Sequence, residues 1–119
     1  MSAQAPRVIV TQVPSIRDPA TGVWKPTINL NPAKEFGEIE VLLPPGMQMY
    51  AGTEVVRIIR ARLAEIDVHP GDYLLLAGSP TIMGVAAAII SRRNNDQLKL
   101  LQWDKTTTSY NVIDAEHLN

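Results

Sequence analysis

The residues best placed to do chemistry stand in one turn, Gly78-Ser79-Pro80-Thr81, where an uninterrupted apolar stretch runs into an apolar helical one. In an open α/β sheet, ligands sit outside the carboxyl ends of the strands, and a helix N-terminus there offers free N–H groups to an anion. Gly78, Ser79 and Thr81 are therefore the candidates for an anion or nucleotide contact. Two features oppose that reading. Neither a G-x-G-x-x-G run nor a Walker lysine motif is present, and Pro80 removes one of the donors a phosphate would use. The plain alternative is a turn capped by Ser79, with Pro80 at the first helical position.

Other constellations are weaker. Asp67, Asp72 and Asp104 could be imagined as a metal or acid–base set, but each stands at a turn, where Asp hydrogen-bonds locally. His69 precedes Pro70 and His117 lies near the end of the chain; neither accompanies a serine in a nucleophile-elbow motif. No cysteine is present, which excludes thiol catalysis, thiolate zinc sites and disulfides. The reading is of no catalytic residue, no metal and no cofactor.

Cationic groups cluster at Arg57, Arg60 and Arg62 and again at Arg92 and Arg93. Arg57 and Arg60, three apart, share a helix face. They read either as solvated, dipole-matched arginines or as a patch for an acidic protein or nucleic acid. A net charge of −1 gives phosphate binding no global help. Trp24, Trp103 and Tyr110 are either core or, if exposed together, anchors for a protein interface.

The elements that must position these residues follow from apolar period and punctuation. Arg7 to Val13, Val23 to Leu30, Glu38 to Leu43, Tyr73 to Ala77, Leu98 to Trp103 and Tyr110 to Ala115 read as strands. Asn31-Pro32 reads as a break. One helix opens at Thr53-Glu54, with Thr53 as N-cap, and ends near Asp67. The second, Pro80 to Arg93, is apolar nearly all round and reads as the more buried helix, its Gly84 and alanines lying close to a sheet. Asp18, Thr21 and Trp24 repeat the spacing of Asp104, Thr107 and Tyr110, which reads as shared turn chemistry. The expected class is α/β (or α+β): a single mixed sheet with a central β-α-β-α-β run, two main helices and antiparallel hairpins at both ends.

With 119 residues the expectation is one globular domain, with 1–6 and 116–119 as tails. The longest apolar run, Ile82 to Ile90, is about half a bilayer span, so no membrane association is expected.

TQVPSIRDPATGVWKPTINLNPAKEFGEIEVLLPP, followed by GDYLLLAGSPTIMGVAAAIISRRNNDQLKLLQWDKTTTSYNVI, resembles a family of small, uncharacterised proteins encoded by tailed bacteriophages. The resemblance runs from Val8 to Ile113. Its marks are the TQVP start, the Arg17 to Thr27 hairpin pattern, the G-D-Y-L…G-S-P block and the L-L-Q-W-D end. It assigns no activity to any residue. It implies the cytoplasm of an infected bacterium and an accessory protein that binds host machinery. The leading expectation is thus a non-enzymatic module binding a host or phage protein through Trp24, Trp103 and Tyr110 or through Arg57 and Arg60. The alternative is a nucleotide or nucleic-acid binder using Gly78 to Thr81 and nearby arginines. A third is a homo-oligomer that associates through its sheet edges.

Overall fold

The computed structural model describes residues 5–47 and 52–115. Most of the expected tails, and His117, fall outside the described residues. Seven strands form: β1 Arg7–Gln12, β2 Ser15–Arg17, β3 Trp24–Pro26, β4 Glu38–Leu43, β5 Tyr73–Leu75, β6 Lys99–Asp104 and β7 Ser109–Asp114. Two α-helices, α1 Gly52–Ile66 and α2 Pro80–Arg93, join them, with a 3-10 helix at Asn31–Phe36.

Five strands make one mixed sheet in the order β4-β1-β5-β6-β7. The first four run parallel and β7 is antiparallel to β6. The continuous apolar run of β1 (RVIVTQ) follows from this position: it is paired on both edges and covered on both faces, and Val8 to Thr11 are fully buried. From β1 the chain steps one way to β4, then reverses across β1 to β5. Right-handed crossovers demand that a reversal change faces. Accordingly, α1 and α2 pack together on one side, where Ile59, Leu63, Ile82 and Ala86 meet Ile9 and Leu74. The 3-10 helix lies on the other side, where Ala33 meets Val8, Val10, Leu75 and Leu101.

The α/β class, the mixed sheet and the β-α-β-α-β run agree with the sequence reading; four details differ. The strand Arg7–Gln12 does not pair with the chain returning after Gly22. The N-terminal hairpin is β2 against β3, a separate two-stranded sheet, because β1 is already claimed on both edges. The Asn31-Pro32 break opens the 3-10 helix, with proline in its first turn. Helix α1 starts at Gly52, so Thr53 stands inside the first turn and not before it. Nor is α2 the more buried helix. It buries one stripe (Ile82, Ala86, Ile90), as α1 does, and a Cβ at Gly84 would meet nothing within 4 Å. Small apolar residues there face outward, since the sheet covers only one side of the helix.

At the amino ends of β1 and β5 the two strands are locked by a buried ion pair. The carboxylate of Asp72 is fully buried and accepts from Arg7 Nη2 at 2.8 Å and from the backbone N–H groups of Arg7 at 3.0 Å and His69 at 2.9 Å. Arg7 Nη1 also donates to Ile66 O at 2.6 Å, tying β1 to the end of α1. The hydrogen bond to Asp72, opposed by desolvation, raises the Arg7 pKa above its ordinary value. His69 Nδ1 accepts from Gly71 N–H at 3.1 Å, which leaves its proton on Nε2. That atom lies 3.1 Å from Asp72 Oδ1 without hydrogen-bond alignment.

Candidate functional site

The carboxyl ends of β1 and β5 flank the reversal in strand order, the position where an open α/β sheet holds a ligand. Here that crevice is closed by the chain itself. Gly78, at φ +96°, lets the backbone approach so closely that a Cβ would stand 3.0 Å from Gln12 O. Thr11 Oγ1 is buried and donates to Ala77 O at 3.5 Å. Gln12 Nε2 turns away to donate to Pro44 O at 2.8 Å and Met47 O at 3.0 Å. Ser79 holds the N-cap position with Pro80 after it, yet its side chain makes no capping hydrogen bond, contrary to expectation. The turn thus serves as a tight corner.

Arg92 and Arg93 are not near that corner: they close α2, which Gly78 to Thr81 open, so about 20 Å of helix intervenes at 1.5 Å per residue. Arg60, Arg92 and Arg93 instead converge around Ile89 at a cleft of about 150 Å³ between the helices. Arg57 stands apart, exposed and 4.0 Å from Glu54. Arg62 is engaged: Nε donates to Leu42 O at 2.9 Å and Nη1 pairs with Glu65.

The turn aspartates do turn chemistry. Asp18 Oδ1 accepts from Ala20 N–H and Asp104 Oδ1 from Thr106 N–H, each at 2.8 Å. The bond from Thr106 foremost, with one from Asn111 Nδ2, holds the Asp104 carboxyl below its ordinary pKa. Asp67 sits beyond α1 at φ +52°. Among the described residues no group of three or more His, Asp and Glu is close enough to hold a metal, and no helix is long and apolar enough to cross a membrane.

The aromatic residues divide into two places. Trp103 and Tyr110 face each other across β6 and β7 with ring centroids 4.9 Å apart, edge to face. Tyr110 is only 7% exposed, and its burial raises its pKa above the ordinary value. Trp24 lies beyond the other side of the sheet, over Gly46, where a methyl group would overlap its ring. Of the two readings left open for these residues neither holds for all three, since they do not gather on one surface: β1 and β5 lie between Trp24 and the other two.

What Trp24 borders is an apolar groove of about 630 Å³ between the β2–β3 hairpin, the end of β4 and α1. Leu30, Val41, Pro44, Pro45 and Ile58 contribute to its lining. Among the described residues, and apart from the indole, only Ser15 and Arg62 bring polar side chains to it, and the Arg62 guanidinium is already bonded. The hairpin above it projects, with every residue of β3 exposed and Ile16 66% exposed. Its ladder is continued by Thr27, whose N–H donates to Pro14 O at 2.8 Å, and Trp24 seats it on Gly46. Among the described residues, the exposed large hydrophobic side chains fall into two sets. Trp24 and Met47 border this groove, while Ile16, paired with Lys25 on the opposite face of the hairpin, and Val23 lie outside its lining; Trp103, Val112 and Ile113 lie on the last hairpin. Sequence reading found Trp24 and missed Ile16 and Val23; their β-branched types in a turn-rich hairpin gave no sign that one face lacked cover.

No curated protein and no solved structure matches the chain. The family model described as Phage Pam3 gp32-like protein matches residues 6–117, nearly all of the chain. This agrees with the phage resemblance of the hairpin, G-S-P and L-L-Q-W-D segments, and the chain belongs to the Phage Pam3 gp32-like family.

Proposed function

We propose that this phage protein is a non-enzymatic accessory factor of the host cytoplasm. It docks onto a host or phage protein through the β2–β3 hairpin and the groove beneath it. The observation that carries the reading is Trp24 and Met47 exposed together at the rim of a 630 Å³ apolar groove, under a hairpin that also exposes Ile16 and Val23. Exposed apolar residues that are scattered singly need no explanation, whereas a contiguous set beside a concave surface marks a docking site. The groove suits an apolar anchor of a protein partner, aromatic or aliphatic. Among the described residues it has no unengaged charged side chain to orient a small ionic ligand.

The test is affinity capture from infected bacterial lysate, with and without nuclease, using the native chain, Ile16→Asp, Trp24→Ala and Arg57→Glu. The reading expects a partner that survives nuclease and binds Arg57→Glu, but is lost from Ile16→Asp and Trp24→Ala at unchanged circular dichroism. A partner lost only with nuclease would move the function to the Arg60, Arg92 and Arg93 cleft and to nucleic acid. A partner indifferent to both hairpin variants would also contradict the reading.

A further inference from the structure

The five-stranded sheet ends in two free edges, and only one is guarded. At β4, Arg62 occupies the Leu42 carbonyl, and the two-residue period of a strand gives Glu40 and Glu38 the same edge. A charged edge with a plugged carbonyl resists pairing. At β7 the bond from Ala115 N–H to Leu98 O, 2.7 Å, sets which cross-strand pairs are bonded. With the register Lys99↔Asp114 to Asp104↔Ser109, Asn111 and Ile113 bond toward β6. Tyr110, Val112 and Asp114 therefore turn their N–H and C=O groups outward, and no described residue bonds them. This edge has six residues with no proline and one charge, and Val112 is 44% exposed.

We propose that β7 pairs antiparallel with β7 of a second copy of this chain, about a two-fold axis at Val112, extending the sheet across both molecules. The register follows from the residues. Centred on Val112, it opposes Val112 to Val112 of the second copy and Tyr110 to the second copy's Asp114, satisfying three bonded pairs with about six hydrogen bonds. Shifting it toward the turn would require Thr108 to act as a strand residue, but Thr108 has φ +49°. One step the other way sets Asp114 against Val112 and leaves Tyr110 with no partner in the strand; a second sets Asp114 against its own symmetry mate, and like charges directly opposite destabilise. In the favoured register each Asp114 keeps Lys99 beside it on its own chain, and an apolar row Leu101–Val112–Val112–Leu101 crosses the axis. This surface lies at the far side of the sheet from the hairpin groove, so the two proposals fail separately.

The chain has no cysteine, so introduced ones report the register directly. Sedimentation equilibrium from about 10 µM to about 1 mM, the range for an interface at the small end of the size scale, should show a shift toward twice the 13.1 kDa chain mass. Val112→Lys should weaken association roughly tenfold or more with circular dichroism unchanged, by opposing two ammonium groups. Val112→Cys should oxidise to a covalent dimer, because bonded pairs stand about 5.5 Å apart between Cα atoms. Asp114→Cys alone should not, since its symmetry mate lies about 13 Å away along the strand. A monomer throughout the range overturns the proposal. So does a dimer indifferent to Val112→Lys, or one crosslinking through Asp114→Cys and not Val112→Cys.

Discussion

The β4 and β7 edges belong to one sheet and differ in nearly every respect that governs pairing. At β4, a side chain from α1 reaches over to take a carbonyl, two glutamates line the strand, and Pro44 and Pro45 end it. At β7, Tyr110, Val112 and Asp114 hold the open edge, with a single carboxylate among them. The difference teaches where the molecule is closed to partners and where it is open. Helix packing completes the β4 side, and the groove beside it presents an apolar surface; the last hairpin presents bare backbone.

Breaking the frame shared by both edges should have the largest effect. Asp72→Ala leaves the Arg7 guanidinium and two backbone N–H groups without their buried acceptor, and should cost about 3 kcal/mol in denaturant unfolding. Because the pair joins β1 to β5, the middle strand of the five, this variant should loosen both edges. Gly37→Ala acts on the β4 side alone: at φ +154° an added Cβ would collide with the Pro6 carbonyl oxygen. About 2 kcal/mol of stability should be lost, with amide exchange accelerated in β4 before β7.

Arg62→Ala sharpens the comparison. Removing the guanidinium should cost about 1 kcal/mol and free the Leu42 carbonyl. Two open edges per molecule should then give assemblies larger than a dimer in light scattering, and Arg62→Ala combined with Val112→Lys should stop growth at the β4-paired dimer. On the β7 side, Tyr110 supplies a pH handle. Its pKa is raised by burial, so the stability from keeping it neutral is complete below its ordinary value of 10.0 and is lost as pH rises through the folded-state value. Alkaline unfolding should therefore steepen above about pH 10 and flatten in Tyr110→Phe. Val112→Lys should be the mildest change to monomer stability, within about 0.5 kcal/mol, while it removes self-association.

Local chemistry was legible in the sequence. The apolar periods of α1 and α2, the Asp18 and Asp104 turns, and Pro80 opening α2 all stand where the residue types put them. What could not be read was adjacency. Arg7 and Asp72 are 65 positions apart, and their pairing appears only once β1 and β5 are neighbours. Arg62 looked like one more solvated arginine until β4 proved to be an edge. The apolar composition of α2 showed that it is hydrophobic, not that a sheet would cover only one side of it. Trp24 and Tyr110 hold equivalent positions in two hairpins with the same turn chemistry. One is 39% exposed and the other 7%, because only the second hairpin lies within the main sheet.

The most direct test of the unequal edges is amide hydrogen exchange measured by NMR at low and high protein concentration. The account predicts that the amides of Tyr110, Val112 and Asp114 gain protection with concentration, alternating with already protected Asn111 and Ile113, while Glu38 and Glu40 do not change. Concentration-dependent protection at Glu38 and Glu40, or exchange at Val112 that stays fast at every concentration, would contradict it.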